Sequence, residues 1–484
     1  MKWLPIARLK VGALALVWLA AGLPAEAANP PVRPNILFIL MDDMGWTDAA
    51  VLGSDFHETP SIDRLRHEGM LFTDAYANAP NCSPSRASLM TGLYPPRHGI
   101  LTVGSSERGP AEKRRLVPTP NLDVLAPRFV TVAEVLRAGG YATFIGGKWN
   151  LGDGDAAPEA QGFDVNVGGN ASGKTDSYFA PWGNPQLKPA PPGTHLCDYV
   201  TDRAIEFIRE RRPRPFFAYV AYYDVHTPLE AKPELVAKYR AKLNRLAAEG
   251  RSPQHNVPVY AAMVENADMN IGRLLAALNE LGVADDTLVV LFSDNGGYGE
   301  ATSMRPLRGS KGMLYEGGIR VPLIVRWPGR VAPRSTSSEP VIGSDFSPTF
   351  LAASGVPRPA GVAIDGADLT PLLAGKILPT PRPTLFWHCP VYLESRPQKT
   401  SDDSHDGFWR NAPSGAVRAG DWKLIEYFED DSCELFNLRE DIGEQKNLAS
   451  AQPEKVRALR TMLEAWRTET GASVPKERNP AFRP

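Results

Sequence analysis

The chain has 484 residues, with 53 Lys and Arg against 55 Asp and Glu and a formal net charge of −2. That balance excludes the cationic surplus of a nucleic-acid binder and the polybasic patch of a membrane-surface protein. The length suits one large domain and one smaller one.

Residues 1–27 read as a signal peptide. Lys2, Arg8 and Lys10 make a basic start, Val11 to Leu23 is an apolar run, and Ala25-Glu26-Ala27 is an A-x-A cleavage site. The run is shorter than the roughly 20 residues a spanning helix needs, and no later segment is long and apolar enough. The expectation is an exported protein, periplasmic or secreted, with no membrane span after cleavage.

Four apolar runs then follow, each ending in reactive side chains. Asn35 to Met41 leads into Asp42-Asp43, and Tyr141 to Ile145 into Gly146-Gly147-Lys148-Trp149-Asn150. Phe216 to Tyr223 leads into Asp224-Val225-His226-Thr227-Pro228, and Thr287 to Phe292 into Ser293-Asp294-Asn295-Gly296-Gly297. Such runs suit strands buried on both faces. Helical patterns lie around 61–69, 131–139, 198–211 and 258–281. The alternation predicts an α/β sheet with helices on both sides and a ligand site outside the carboxyl ends of the strands.

The segment 181–193 carries five Pro and reads as a long surface loop. Leu378 to Pro383 reads as a linker between a catalytic domain at 33–377 and a small domain at 384–475. In the latter, Ala416–Ala419, Trp422–Phe428 and Glu434–Asn437 read as antiparallel strands, with a helix near 453–469. The loop 164–195 and the Trp387-His388 and Phe408-Trp409 segments are candidates for shaping a substrate pocket, though the aromatics fit core packing equally well.

Asp42, Asp43, Asp294 and Asn295 would bring side-chain oxygens together with no His or Cys among them. That donor set prefers a hard cation, calcium or magnesium, over zinc; each pair taken alone also fits a turn or helix cap. In Cys82-Ser-Pro-Ser-Arg86, the Pro suits a first helical turn and Gly92 a helix stop. Cys82 would then sit at a helix N-terminus with Arg86 one turn on, a setting for a sulfate or phosphate; otherwise it is a structural thiol or half a disulfide. Lys148 and Lys311 stand in Gly-rich surroundings that favour close backbone approach to a ligand. His226 follows a strand and reads as an acid–base or a structural group.

The motif C-S-P-S-R, continued by A-S-L-M-T-G and by Tyr94-Pro-Pro-Arg-His-Gly99, resembles the sulfatase signature C-x-P-S-R. Asp421-Trp-Lys-Leu and Glu434-Leu-Phe-Asn-Leu resemble the small domain of that family, and the likeness runs from Pro34 to about Leu448. It is strongest toward exported bacterial sulfatases of the arylsulfatase A type, including those that act on sulfated polysaccharides. The resemblance implies an alkaline phosphatase-like large mixed sheet flanked by helices, with a smaller C-terminal α+β domain. It implies that a maturation enzyme oxidises Cys82 to formylglycine. One calcium ion, with magnesium as the alternative, would be held by Asp42, Asp43, Asp294, Asn295 and residue 82. Arg86, Lys148 and Lys311 would hold the sulfate, and His226 would protonate the leaving alcohol of a sulfated small molecule or glycan.

One position departs from the pattern. The family reads G-K-W-H-L-G, and this chain reads Gly147-Lys-Trp-Asn150-Leu-Gly152. The absent His assists expulsion of sulfate, and a neutral Asn cannot act as a base near pH 7. Three other readings follow: a sulfated-glycan binder with impaired turnover, a phosphate or phosphonate ester hydrolase on the same fold, and a cysteine hydrolase using Cys82 with His226. With Cys82 modified, at most one disulfide remains, expected between Cys389 and Cys433 because both lie in the C-terminal part.

Overall fold

Strand β1 (Asn35–Met41) alternates its side chains between two cores. Leu37, Ile39 and Met41 enter one, and Ile36, Phe38 and Leu40 the other. A strand covered on both faces needs no polar side, which is why its sequence is a continuous apolar run. The computed structural model describes residues 1–2, 33–211, 214–378, 384–394, 404–405 and 407–483. The apolar run and cleavage site of the expected signal peptide, and all of the expected linker except Leu378, lie outside those residues.

The main sheet comprises β1, β2 (Met70–Phe72), β3 (Ala142–Gly147), β4 (Val165–Val167), β5 (Phe216–Ala221), β6 (Thr287–Ser293), β7 (Leu323–Arg326) and β8 (Ser335–Ser337), in the order β4-β3-β5-β1-β6-β7-β2-β8. The five strands from β4 to β6 run parallel, while β7 is antiparallel to both its neighbours, so the sheet is mixed. Helices α1 (Pro60–Glu68), α4 (Leu196–Arg211), α5 (Pro233–Ala248) and α6 (Pro258–Glu280) bury residues in the first core. Helices α2 (Cys82–Thr91), α3 (Val132–Ala138) and α7 (Phe346–Ser354) bury residues in the second. The predicted helices therefore match α1, α2, α3, α4 and α6, and α5 and α7 are additions.

Beyond the main sheet, β9 (Thr384–Cys389), β10 (Ser414–Ala419), β11 (Trp422–Tyr427) and β12 (Cys433–Asn437) form an antiparallel sheet in that order. Helix α8 (Pro453–Thr470) packs on it. A third core unites Trp387, Leu424 and Leu463 of this part with Tyr76, Tyr94 and Met313 of the large part. Fully buried Lys423 lies 2.9 Å from both Glu316 and Glu444, an ionic clamp across the same junction. The expected Cys389–Cys433 disulfide is not formed, and all four cysteines are free. Those two residues lie on the outer strands of a four-stranded sheet. Three interstrand spacings separate them by about 14 Å, twice the Cα separation a disulfide tolerates.

Candidate active site

The carboxyl ends of β1, β3, β5 and β6 converge, and the chain places its polar residues there. Asp42 and Asp43 leave β1, with Asp43 in a left-handed turn at φ 65°. The Asp42 N–H donates to the Asp224 carbonyl at 3.0 Å, and the Val225 N–H returns a bond to the Asp42 carbonyl at 2.8 Å. Asp294 and Asn295 follow β6, and Asp294 Oδ1 accepts from the Asp43 N–H at 3.3 Å. Gly147 closes β3 at φ 97°, where a Cβ would stand 1.9 Å from the Ala221 carbonyl oxygen. Only glycine lets the strand ends approach so closely, and Lys148 then donates its N–H to that oxygen at 2.7 Å. Cys82 is the first residue of α2, behind Asn81 in extended conformation, and Gly92 ends the helix in the left-handed region. All ten residues of α2 are buried.

The side chains meet as alternating charges. Lys148 Nζ lies 2.7 Å from Asp42 Oδ2, and Lys311 Nζ 2.7 Å from Asp43 Oδ1. Arg86 donates from Nε to Asp294 Oδ2 at 2.8 Å and from Nη1 to the Lys148 carbonyl at 2.7 Å. The Cys82 thiol donates to Asp42 Oδ1 at 3.5 Å. His226 Nε2 stands 3.8 Å from Asp43 Oδ2, while its Nδ1 lies 2.7 Å from the Thr227 carbonyl oxygen. That contact assigns the ring proton to Nδ1 and leaves Nε2 bare. Three buried polar atoms of the cluster have no hydrogen-bond partner among the described residues: Arg86 Nη2, Asn150 Nδ2 and Asn295 Oδ1.

Burial and the Asp42 charge push the Asp294 carboxyl up to about 6, against Arg86 and Lys148. Burial also acts to raise Asp43, but Lys311, His226 and Lys148 outweigh it and hold that carboxyl well below the ordinary range. Burial and the Lys311 charge push His226 down to about 4, so the resting ring is neutral at pH 7. The Cys82 thiol is pushed up to about 12, chiefly by burial.

The donors suit a hard divalent cation. Asn295 Oδ1 is a buried acceptor lacking a donor, and it stands with Asp42, Asp43 and Asp294, whose charges are balanced by lysines and an arginine. Asp42, Asp43, Cys82 and His226 each bring a ligand-type atom within 4.8 Å of the others. An oxygen-dominated set of this kind favours calcium or magnesium.

The cluster opens into a cavity of about 620 Å³. Asp43, Cys82, Lys148, Asn150, His226 and Lys311 line it, whereas Arg86, Asp42, Asp294 and Asn295 lie beneath. Asn150 holds φ 60° and is 5% exposed. A Cβ on Gly173 would sit 3.0 Å from both of its amide atoms. Sequence reasoning did not find Arg108, Tyr298, Glu394 and Arg410, which complete the wall together with Lys174 of the predicted pocket loop. They come from loops and two short strands with no periodic signal. Trp387 and Trp409 are core residues: Trp387 is fully buried with its Nε1 on the Ala77 carbonyl at 2.8 Å, and Trp409 packs on Tyr392.

Residues 34–356 match the family model described as Sulfatase, and residues 310–469 the model described as N-sulphoglucosamine sulphohydrolase, C-terminal. A protein named Sulfatase from Formosa agariphila is 31% identical, covering 94% of this chain and 92% of its own. Human N-acetylgalactosamine-6-sulfatase is 34% identical over 93% of this chain and 88% of its own. The solved structure of Ps i-CgsB in complex with k-i-k-neocarrahexaose superposes with a TM-score of 0.73 at 27% identity, covering 92% of this chain and 95% of that one.

Proposed function

This chain belongs to the sulfatase family and is a sulfuric ester hydrolase, and we propose that it acts through formylglycine formed from Cys82, with one calcium ion, on a sulfated glycan. The observation that carries the reading is the setting of Cys82. It opens α2 beside three carboxylates and three cations, and its thiol is far from ionising at neutral pH. A cysteine hydrolase needs the thiolate, and this site disfavours it. A hydrolase of doubly charged phosphate calls for more metal charge than one oxygen-rich cluster supplies.

Oxidised to the hydrated aldehyde, residue 82 would supply a hydroxyl nucleophile and a second hydroxyl whose deprotonation expels sulfate. A divalent cation held by Asp42, Asp43, Asp294, Asn295 and residue 82 would supply Lewis acidity at that hydroxyl. Asp294, paired with Arg86 beneath the cavity, would be the proton acceptor beside the nucleophile. Lys148, Lys311 and Arg86, whose Nη2 makes no hydrogen bond and stands 3.9 Å from Asp42 Oδ1, hold sulfate oxygens and stabilise charge as it moves to the leaving oxygen. A bound sulfate favours the protonated form of His226, whose Nε2 then gives its proton to the departing alcohol. Asn150 brings a neutral amide to the cavity wall, so it positions an oxygen and removes no proton.

Three features bear on the remaining assignments. The basic, apolar and A-x-A segments at 1–27 support export to the periplasm or beyond, with maturation by a formylglycine-generating enzyme. Among the described residues, no helix is long and apolar enough to cross a membrane. The neocarrahexaose bound in one similar structure and the N-acetylgalactosamine-6-sulfatase name of a relative support a glycan substrate.

Mass spectrometry of the tryptic peptide His67–Arg86 tests the nucleophile. Formylglycine in the resting protein is expected, together with release of phenol from an aryl sulfate. Full activity of Cys82→Ala would overturn the mechanism. Neutral Asn150 favours one second reading, a sulfated-glycan binder, which predicts saccharide binding with no sulfate release.

A further inference from the structure

Asn81 stands immediately before α2, yet its side chain does not cap the helix. An Asn in this place usually accepts from the second or third helical N–H. The third helical residue is Pro84, which has none. The Asn81 amide instead donates from Nδ2 to Thr102 Oγ1 at 3.0 Å. Thr102 is fixed in turn by Asn121, which accepts from its N–H at 3.1 Å and donates to its carbonyl at 3.2 Å. With one end of the amide anchored, Asn81 Oδ1 is buried and has no hydrogen-bond partner among the described residues. Asn81 is 4% exposed and lines the same cavity as Cys82, Lys148 and Lys311.

The place of that oxygen sets what it can bind. The Gly312 N–H donates to the Pro80 carbonyl at 2.7 Å, so residue 81 is held between the nucleophile position and the Lys311–Gly312 segment. An amide oxygen accepts hydrogen bonds and so do the oxygens of a sulfate, so Asn81 Oδ1 adds nothing to the cationic cradle. It suits a donor on the alcohol part of the substrate. The two carboxylates of the cavity lining, Asp43 and Glu394, are already engaged. Asp43 lies 2.7 Å from Lys311 Nζ. Glu394 lies 3.2 Å from Arg108 Nε and accepts from the Gly109 N–H at 3.0 Å. A ligand that leaves a buried acceptor unpaired bears its desolvation cost, and a site built in this way rejects the analogue that lacks the matching group.

Resting on the hydrolase reading above, we propose that Asn81 Oδ1 selects a sulfated saccharide that carries a hydrogen-bond donor close to the scissile ester. That donor is a ring hydroxyl or an acetamido N–H; each offers the hydrogen that the orphaned oxygen lacks.

Calorimetry on the full-length, calcium-loaded Cys82→Ala protein tests this without turnover. The probes are galactose 4- and 6-sulfates, their monodeoxy and monodeoxyfluoro analogues, and the matching N-acetylgalactosamine sulfates. One parent sulfate is expected to bind at least about tenfold more tightly than the analogue that lacks its donor. A deoxyfluoro analogue keeps the size of the hydroxyl but cannot donate, so it should bind as weakly as the deoxy one. Loss on removing a ring hydroxyl identifies the hydroxyl as the donor, and loss on replacing the acetamido group by hydrogen identifies the N–H. Adding Asn81→Ala should bring the ratio close to one. Thr102→Val removes the anchor of the amide from outside the cavity lining and should lower the ratio at least about threefold; it decides the matter if the first variant does not fold. Equal affinities throughout the series, a ratio indifferent to both substitutions, a fluoro analogue that binds like its parent, or binding of no probe would each overturn the proposal. Nitrophenyl sulfate turnover by the wild-type protein is measured in parallel. Selective binding without turnover would sink the hydrolase mechanism and leave the selection standing, and turnover without selectivity would do the reverse.

Discussion

Asn150→His is the substitution that most directly interrogates the reaction. Position 150 holds φ 60°, in the left-handed region that His, like Asn, enters more readily than most residues. Its backbone N–H is anchored to the Asn170 carbonyl at 2.9 Å, and the side chain packs on Gly173, where no Cβ obstructs a larger ring. An imidazole there lines the same cavity as residue 82. A positioned general base is worth about 10²–10⁴ in rate. If expulsion of sulfate limits the native enzyme, the variant should raise kcat at least about 100-fold. The first transfer, which releases the alcohol, does not need that base, so kcat/KM should stay constant and KM should rise with kcat. Stopped-flow mixing with an aryl sulfate should show a burst of phenol, near one equivalent per wild-type active site, that disappears in Asn150→His. A wild-type time course without a burst, together with an unchanged kcat in the variant, would refute the reasoning. It would mean that another group already takes the proton.

Four further outcomes are expected. His226→Ala should lose about 10²–10⁴ in kcat/KM for an alkyl or sugar sulfate but far less for a nitrophenyl sulfate, whose leaving group needs no proton; equal losses would remove the acid role. Calcium should raise the melting temperature of the wild-type protein, by about 2.7 kcal/mol of stability at 100 times Kd, and Asn295→Ala with Asp43→Asn should abolish the shift; a calorimetric scan that shows no shift in the wild type counts against the site. Lys423→Met should cost about 3–5 kcal/mol in urea unfolding because Glu316 and Glu444 are left buried without their shared cation; a neutral result would show that the clamp is dispensable. Burial raises Glu444 to about 7, against Lys423 and with help from Glu316. An acid raised on folding contributes stability that is full below about 4.5 and lost as pH rises through 7. The melting-temperature advantage of Glu444→Gln over wild type should therefore widen from pH 4.5 to 7, and a constant gap would contradict the assignment.

The residues at the strand ends were legible because of how this sheet is buried. A strand covered on both faces cannot carry a polar side chain until it leaves the sheet, so the first polar residue after each apolar run marks the edge of the cavity. Asp42 and Lys148 follow that rule directly, and His226 and Asp294 stand one polar residue further on, behind Asp224 and Ser293. Cys82 was legible for another reason: Pro84 and Gly92 fix a helix from both ends, and the reactive residue is its first. The failures share the opposite property. Helix α5 buries only Tyr239 and Leu246, two residues one heptad apart, too thin a stripe to stand out in its charged surroundings. Strand β9 runs Thr384-Leu-Phe-Trp-His-Cys389, in which aromatics occupy both faces and erase the period-2 signal. Arg108, Lys174 and Arg410 meet only through tertiary structure, and nothing local marks a surface-type cation as part of a cavity wall. The reaction class is set by the strand ends and by α2, the elements with the strongest local signal. The cavity wall above them is built by loops such as the one carrying Lys174, where the chain can vary without cost to the sheet. The floor of the site could therefore be read from this sequence before its wall could.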